Sequence, residues 1–305
     1  MGAPGYQGGV MTLALVLAGG GVAGIAWGTG FLLGIQDVSP MLATRLIGAD
    51  VLLGTSAGAA VAAQIGSGAR LKDLFARQVS EATDEIAPDV DVDELMVLFE
   101  GAAADPGVPV VERRRRFGRL ALSATTVAPE VRRAVIDKRL PSHEWPERPL
   151  KITAIDVESG ERAIFDRGSG VGLVDAVAAS CAVPAVWPPV TIGHRQFMDG
   201  GVGSHANVDV VADYEAVVML APTASPGVSP FGRSLVDELA HHRAGPAVGI
   251  FADDASIAAF GRNPLHLDSR APSAIAGRQQ GRRTARELAG LLDTPRWRLA
   301  LCGTS

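Results

Sequence analysis

Short, wholly apolar runs alternate with longer stretches of small and apolar residues over the first 70 positions. Thr12–Ala18 (TLALVLA) is bounded by glycines, the pattern of a strand buried on both faces in a parallel sheet. After Gly19-Gly20-Gly21, residues 22–35 are apolar and free of proline, which predicts a helix. A second strand is predicted within residues 46–53, centred on Val51-Leu52-Leu53 and stopping at Gly54. From Ser56 the segment SAGAAVAAQIGSG predicts a helix of small residues able to lie close on a sheet. Residues 70–149 differ: they are charged, helix-prone and broken by Pro88, Pro106, Pro109, Pro129 and Pro141, which predicts a mostly helical insertion. Lys151–Val157 (KITAIDV) then predicts a strand, Ser159-Gly160 a turn and Arg162–Phe165 its hairpin partner. Leu173–Ser180 predicts a helix stopped ahead of Pro184, Pro188 and Pro189. Gln196–Met198 leads into Asp199-Gly200-Gly201, and Ala216–Leu220 (AVVML) predicts one more buried strand. The remainder is predicted as helical, closing on an Arg-rich helix from about Gly277 to Leu292.

Strand–turn–helix repetition predicts the α/β class, a three-layer α/β/α sandwich with a mostly parallel central sheet, a helical insertion and a helical C-terminal extension. The expected organisation is a disordered leader over residues 1–10, with Met11 as an alternative start, a main domain over 11–222 with its insertion at about 70–149, and the extension over 223–305. Composition narrows the classes further. The chain has 305 residues, 47% of them hydrophobic, so a large core is affordable and disorder is a poor description. With 36 glycines and 5% aromatics, close helix-on-sheet packing fits better than an all-β sandwich. A net charge of −5 lacks the basic footprint of a nucleic-acid partner. Cys181 and Cys302 are too few for a disulfide framework or a zinc site, and no His/Asp/Glu/Cys cluster has metal-ligand spacing. No charged n-region precedes the first apolar run, and no run reaches about 18 apolar residues, so neither a signal peptide nor a transmembrane helix is expected. The expected location is cytoplasmic, with peripheral contact at a membrane surface as an option.

Gly54-Thr55-Ser56-Ala57-Gly58 fits G-x-S-x-G, with an apolar strand before it and a small-residue helix after it, the context a nucleophile elbow requires. In so sharp a turn flanking glycines avoid Cβ clashes, and the helix N-terminus directs free N–H groups and its positive dipole end at a reacting carbonyl. Gly19-Gly20-Gly21-Val22-Ala23-Gly24 likewise joins a strand to a helix. Its N–H groups suit a pyrophosphate, as in a dinucleotide site, or a developing alkoxide, as in an oxyanion hole. The dinucleotide reading needs an acid about 20 residues on, at the end of the next strand. Asp37 is near that distance but precedes Ser39-Pro40 and ends no clear strand. A Walker A loop is excluded, because no Gly-Lys-Ser/Thr follows. Asp199-Gly200-Gly201, taken alone, reads as a turn.

In this order the three motifs, with Ala179-Ser180-Cys181-Ala182-Val183-Pro184 before the aspartate, Pro188 beyond that block and Asn207 after the aspartate, make the chain resemble the patatin-like phospholipase family over roughly Leu13–Asn207. The resemblance implies hydrolysis of carboxylic esters of lipids, of phospholipase A, lysophospholipase or esterase type, through a Ser–Asp dyad. Ser56 would be the nucleophile and Asp199 its base; Gly19, Gly20, Gly21, Val22 and Gly24 would form the oxyanion hole; Gly54, Thr55, Ala57 and Gly58 would shape the elbow; and Gly200 and Gly201 would let the chain turn beside the serine. It implies a lipid or ester substrate and no cofactor or metal. One departure stands out: the family's loop carries Arg or Lys before its last glycine, and here that residue is Ala23. The missing cation keeps a catalytically weak lipid-binding or regulatory protein in view, and a Rossmann-type nucleotide-binding protein is the third reading.

A His-based triad is the mechanistic rival. Among His143, His194, His205, His241, His242 and His266, the last three follow the acid as that order requires, but none stands in a Gly-flanked loop after a strand. The run Arg113–Arg116 suits anionic head groups, or a solvated face beside the acidic stretch Glu81–Glu94. Arg278, Arg282, Arg283 and Arg286 predict a basic helical face, at the surface or paired with that same stretch. Trp27, Trp145, Trp187 and Phe231 are core by default, with an acyl pocket as the alternative. The oligomeric state leaves no mark in the sequence.

Overall fold

The computed structural model describes residues 11–88, 90–105, 107–224, 234–292 and 299–302; the expected leader and Phe231 lie outside them. In chain order the elements are β1 (Leu13–Leu17), α1 (Gly21–Val38), α2 (Pro40–Ile47), β2 (Val51–Thr55), α3 (Ala57–Gly66), α4 (Leu71–Val79), α5 (Val92–Ala103), α6 (Val110–Ser123), α7 (Pro129–Arg139) and β3 (Leu150–Asp156). There follow β4 (Arg162–Phe165), α8 (Leu173–Ser180), β5 (Val190–Ile192), β6 (Arg195–Asp199), β7 (Ala216–Ala221), α9 (Leu235–Ala240), β8 (Ala247–Phe251), α10 (Asp254–Phe260), α11 (Arg270–Leu292) and β9 (Leu299–Cys302).

The strands form one sheet in the order β5-β6-β3-β2-β1-β7-β8-β9, with β4 also on β3. From β3 to β9 the pairs are parallel, whereas β4, β5 and β6 pair antiparallel. The period-2 alternation of a strand sorts the apolar residues of β1 onto both faces. Leu13, Leu15 and Leu17 join the cluster beneath α1, α3 and α8, while Ala14 and Val16 join Val217, Met219, Leu235 and Leu239 on the other side. Helices therefore cover both faces, as the sandwich expectation requires.

Two expectations are corrected. The chain after residue 223 is not helical throughout, because AVGIF becomes β8 and LALC becomes β9, extending the parallel sheet beyond β7. The closing helix starts at Arg270 rather than near Gly277, since Pro272 falls in the first turn, where a missing N–H costs no helical hydrogen bond. Three arginines of the expected basic face pair elsewhere than with the acidic stretch 81–94, and it is Arg270, at the start of the helix, whose charge acts on Glu85. Arg278 and Arg282 pair with Asp37 at 2.7 Å, and Arg283 pairs with Asp253 at 2.5 Å. The stretch finds other cations: Glu85 takes Arg139, Asp84 takes Lys138 and Asp93 takes Arg262.

Helices α1 and α11 cross on a glycine seam. A Cβ at Gly30 would lie 2.1 Å from the Ala274 carbonyl oxygen, and one at Gly277 would lie 2.3 Å from that of Trp27. Gly34 and Gly281 repeat the contact one turn on. The approach is backbone to backbone, so α11 holds in place the helix that grows out of the glycine loop at 19–24. Among the described residues no helix is long and apolar enough to cross a membrane, and no acidic, His or Cys cluster is arranged to hold a metal ion.

Candidate active site

Ser56 sits on the turn between β2 and α3 with φ 54° and ψ −119°, a conformation non-glycine residues rarely adopt. The turn is tight because α3 starts hard against β1: a Cβ at Gly58 would lie 1.9 Å from the Leu17 carbonyl oxygen. Residues of α8 and its C-cap hold the strained backbone from both sides. The Ser56 N–H donates to Ser180 Oγ at 2.8 Å, and the Cys181 thiol donates to the Ser56 carbonyl at 3.2 Å. Burial pushes the Cys181 thiol up to about 11, which keeps it protonated and able to donate.

Asp199 ends β6 and faces the serine. Ser56 Oγ donates to Asp199 Oδ2 at 2.6 Å, and the Gly201 N–H donates to Oδ1 at 2.7 Å. The Asp199 N–H donates to the Ala182 carbonyl at 2.9 Å, tying the aspartate to the ASCAVP block. Gly200 passes so close to β3 that a Cβ would lie 2.5 Å from the Thr153 carbonyl oxygen. The carboxyl is 4% exposed. Burial drives its pKa up to about 7, against the opposing pull of the Ser56 hydroxyl, the Gly201 N–H and the charge of Arg132. Behind it Asn207 donates to Thr55 Oγ1 at 3.1 Å and Thr153 Oγ1 at 3.3 Å, fastening β2 and β3 to the loop after Asp199.

Of the five oxyanion candidates, two have their N–H groups occupied. Gly19 donates to the His205 carbonyl and Gly24 to the Gly20 carbonyl, each at 2.8 Å. The Ala23 N–H donates to Pro264 at 2.9 Å. The N–H groups of Gly20, Gly21 and Val22 have no acceptor among the described residues, and they stand at the positive end of α1. The donor set is thus narrower than the sequence suggested, because the loop's two ends are used to fix the loop itself.

The cleft over Ser56 has a free volume of about 20 Å³, room for roughly one water. Gly21, Val22 and Ala57 line it with the serine, as do Trp187, Leu265 and Arg132. Arg139 also borders it, but its charge is met by a two-point ion pair with Glu85, with Nε to Oε1 at 2.8 Å and Nη2 to Oε2 at 2.7 Å. Arg132 comes from α7, is 6% exposed and stacks 3.9 Å over the Trp187 ring.

Of the histidines, the ring of His205 comes near the serine: a Cβ at Gly19 would lie 3.4 Å from Ser56 Cβ and 3.6 Å from His205 Nδ1. No imidazole hydrogen-bonds to Ser56 or Asp199: His241 bonds the carbonyl of Asp237, His266 accepts from the Asp268 N–H, and His205 contributes its carbonyl. Asp37 lies in the last turn of α1, held by Arg278 and Arg282, not at a strand end where a ribose would sit. Trp27 is core, its indole N–H shared by Ser256 and Gln280. Trp145 donates to Val171, away from the cleft. The sequence reading missed Arg132, Arg139, Pro264 and Leu265. Nothing in one sequence marks a charged residue of a helical insertion as facing inward, and Pro264 and Leu265 lie far beyond the motifs.

A family model described as patatin-like phospholipase matches residues 15–212, more than half of the 305. Among solved structures, VipD from Legionella pneumophila matches at 13% identity, covering 82% of this chain and 53% of that chain, with a TM-score of 0.37. ExoU from Pseudomonas aeruginosa, crystallised with SpcU, matches at 16% identity, covering 93% and 53%, with a TM-score of 0.42. This chain therefore spans about half the length of the solved structures it matches.

Proposed function

Because the chain belongs to the patatin-like phospholipase family, we propose that it is a serine acyl hydrolase that cleaves lipid carboxylic esters through Ser56 and Asp199. The observation that carries this reading is the direct 2.6 Å hydrogen bond between the two side chains, on an elbow whose serine backbone is strained and braced. Ser56 Oγ attacks the ester carbonyl while its proton passes to Asp199 Oδ2. The tetrahedral oxyanion accepts from the N–H groups of Gly20, Gly21 and Val22. Collapse breaks the bond to the alcohol oxygen, which takes the proton from Asp199 and leaves. Water then attacks the acyl-serine, giving a proton to Asp199; the bond from the acyl carbon to Ser56 Oγ breaks, Oγ takes that proton back and the fatty acid leaves.

An aspartate of ordinary pKa is a weak base for an alcohol, and burial answers that weakness. A carboxyl poised at about 7 is still half ionised near neutrality and is a stronger base than a solvated one. Fluorophosphonate labelling with the adduct located by mass spectrometry tests the reading. Label on Ser56, lost in Ser56→Ala and Asp199→Asn, supports it; label elsewhere, or none on the folded protein, overturns it.

Peripheral contact with a lipid surface belongs to the same proposal. The cleft is too small for an acyl chain, so substrate must displace part of its lining. Leu95 of α5 packs with Trp187 and Leu265 of that lining, while Met96, Val97 and Leu98 on the same helix are 47–67% exposed. Exposed apolar side chains on a helix that packs against two residues of the cleft lining suit a bilayer surface. Met96→Asp with Val97→Asp is expected to reduce co-sedimentation with phospholipid vesicles while leaving hydrolysis of a short soluble ester in place.

A further inference from the structure

We propose that Arg132 is a recognition site for the phosphodiester of a glycerophospholipid substrate, reading the anionic half of the molecule while Ser56 cleaves the acyl half. The inference deepens the hydrolase reading and rests on it. Arg132 is 6% exposed, and its Nη1 is fully buried with no hydrogen-bond partner among the described residues. An unpaired guanidinium N–H away from water is a costly arrangement that proteins retain where a ligand completes it.

Its surroundings do not neutralise it. Glu85, which shares that corner, is taken at both oxygens by Arg139, and the charges of Arg132 and Arg270 act on the same carboxylate, leaving three guanidinium groups against it. Asp199 is the other acid within electrostatic reach, and it is committed to Ser56 and Gly201. The Trp187 ring under Arg132 fixes the plane of the guanidinium but supplies no acceptor oxygen. Arg132 borders the same cleft as Ser56, so an anion held there would sit within one small molecule's length of the attacked carbonyl. A guanidinium presents paired N–H groups that match a phosphate's oxygens. A neutral glyceride would leave them unpaired. The loop at 19–24 offers no competing cation, since Ala23 is buried and uncharged.

The test reads selectivity and binding together. The first measurement is kcat/KM of wild type, Arg132→Gln and Arg132→Lys on a lysophosphatidylcholine and on the monoacylglycerol of the same chain. The ratio of the two values is expected to fall on the order of tenfold to a hundredfold in Arg132→Gln, the size of one charge-assisted hydrogen bond, and to recover in part in Arg132→Lys. Equal losses on both esters would overturn the proposal and assign Arg132 to the charge balance of Asp199. The second measurement is equilibrium binding of an alkyl phosphocholine, below its micelle concentration, to Ser56→Ala and to Ser56→Ala with Arg132→Gln. It needs no catalysis, so the two readings fail separately: a wild type that cleaves neither ester sinks the hydrolase reading, and Arg132-dependent binding in Ser56→Ala then still supports the phosphodiester site. Binding that ignores Arg132, or inorganic phosphate binding as tightly as the alkyl phosphocholine, would overturn the lipid assignment. Matched melting curves for each variant show that the fold is intact.

Discussion

Ser56 can keep a backbone conformation costing of order 1–3 kcal/mol only because its neighbours over-determine it. Ser180 is fully buried and its hydroxyl is the acceptor for the Ser56 N–H. Ser180→Ala leaves that N–H buried and unsatisfied, so a loss of about 1–3 kcal/mol is expected, with kcat falling more than KM rises because the nucleophile is misaimed. Unchanged kcat with an unchanged denaturation midpoint would show that the brace is unimportant. Asp199 sets the pH behaviour. Its pKa is raised to about 7 in the folded chain from 3.8 in a solvated one, so the folded state binds the proton more tightly. Stability from this group is complete below the unfolded value and is lost as pH climbs through about 7, while the base needed for attack appears over the same interval. Hydrolysis is expected to rise with pH along a limb centred near 7, and Asp199→Asn to raise Tm over wild type most at pH 8, less at pH 5 and little below pH 4. A Tm gain independent of pH would contradict the assignment. That Ser56 and Asp199 meet could be expected from one sequence because an elbow motif marks one and a turn motif the other. Arg132 was not legible, since burial of a lone arginine depends on what α7 packs against.

At the scale of elements, strands marked by apolar runs or by a turn between apolar segments were readable: β1, β3, β4 and β7 stand where hydrophobic pattern and turn residues placed them. β8 was lost because five residues with a central glycine, after His241-His242-Arg243, carry little strand signal on their own. What defines it is pairing with β7, a tertiary fact. The glycine seam was equally present and unread. Gly30 and Gly34, like Gly277 and Gly281, are four apart and so share one helix face, but only the crossing of α1 and α11 turns that spacing into contact. The seam gives a prediction with opposite signs on one helix. Gly277→Ala places a Cβ 2.3 Å from a backbone oxygen that cannot step aside, and is expected to cost about 1–3 kcal/mol. Gly290→Ala, on the same helix with open space at its Cβ, is expected to gain up to about 1 kcal/mol from helix propensity. Urea unfolding measures both; a stabilising Gly277→Ala would mean that the two helices do not meet as closely as described.

For the molecule as a whole, the family match ends at residue 212 but the architecture does not. The sequence suggested a main domain over 11–222 and a helical extension over 223–305. Several contacts join the two. β8 pairs along its full length with Val217–Ala221 of β7, whose six residues are all buried. Ser256 and Gln280 hold the indole N–H of Trp27, which has no exposure at all. The Pro264 carbonyl takes the Ala23 N–H and so helps set the loop that offers its free N–H groups beside Ser56, and Leu265 lines the cleft. Without residues 223–305, the α1 face carrying Trp27, Phe31 and the seam glycines would open to water. β7 would become an exposed apolar edge of the kind that aggregates. The full chain is therefore expected to unfold in one calorimetric transition, and residues 11–222 alone to lack near-ultraviolet circular dichroism and to associate. Two resolved transitions, or a soluble 11–222 fragment that still labels at Ser56, would instead mean that the site is complete without the C-terminal third. In that case the contacts of Pro264 and Leu265 tune an active site they do not help to build.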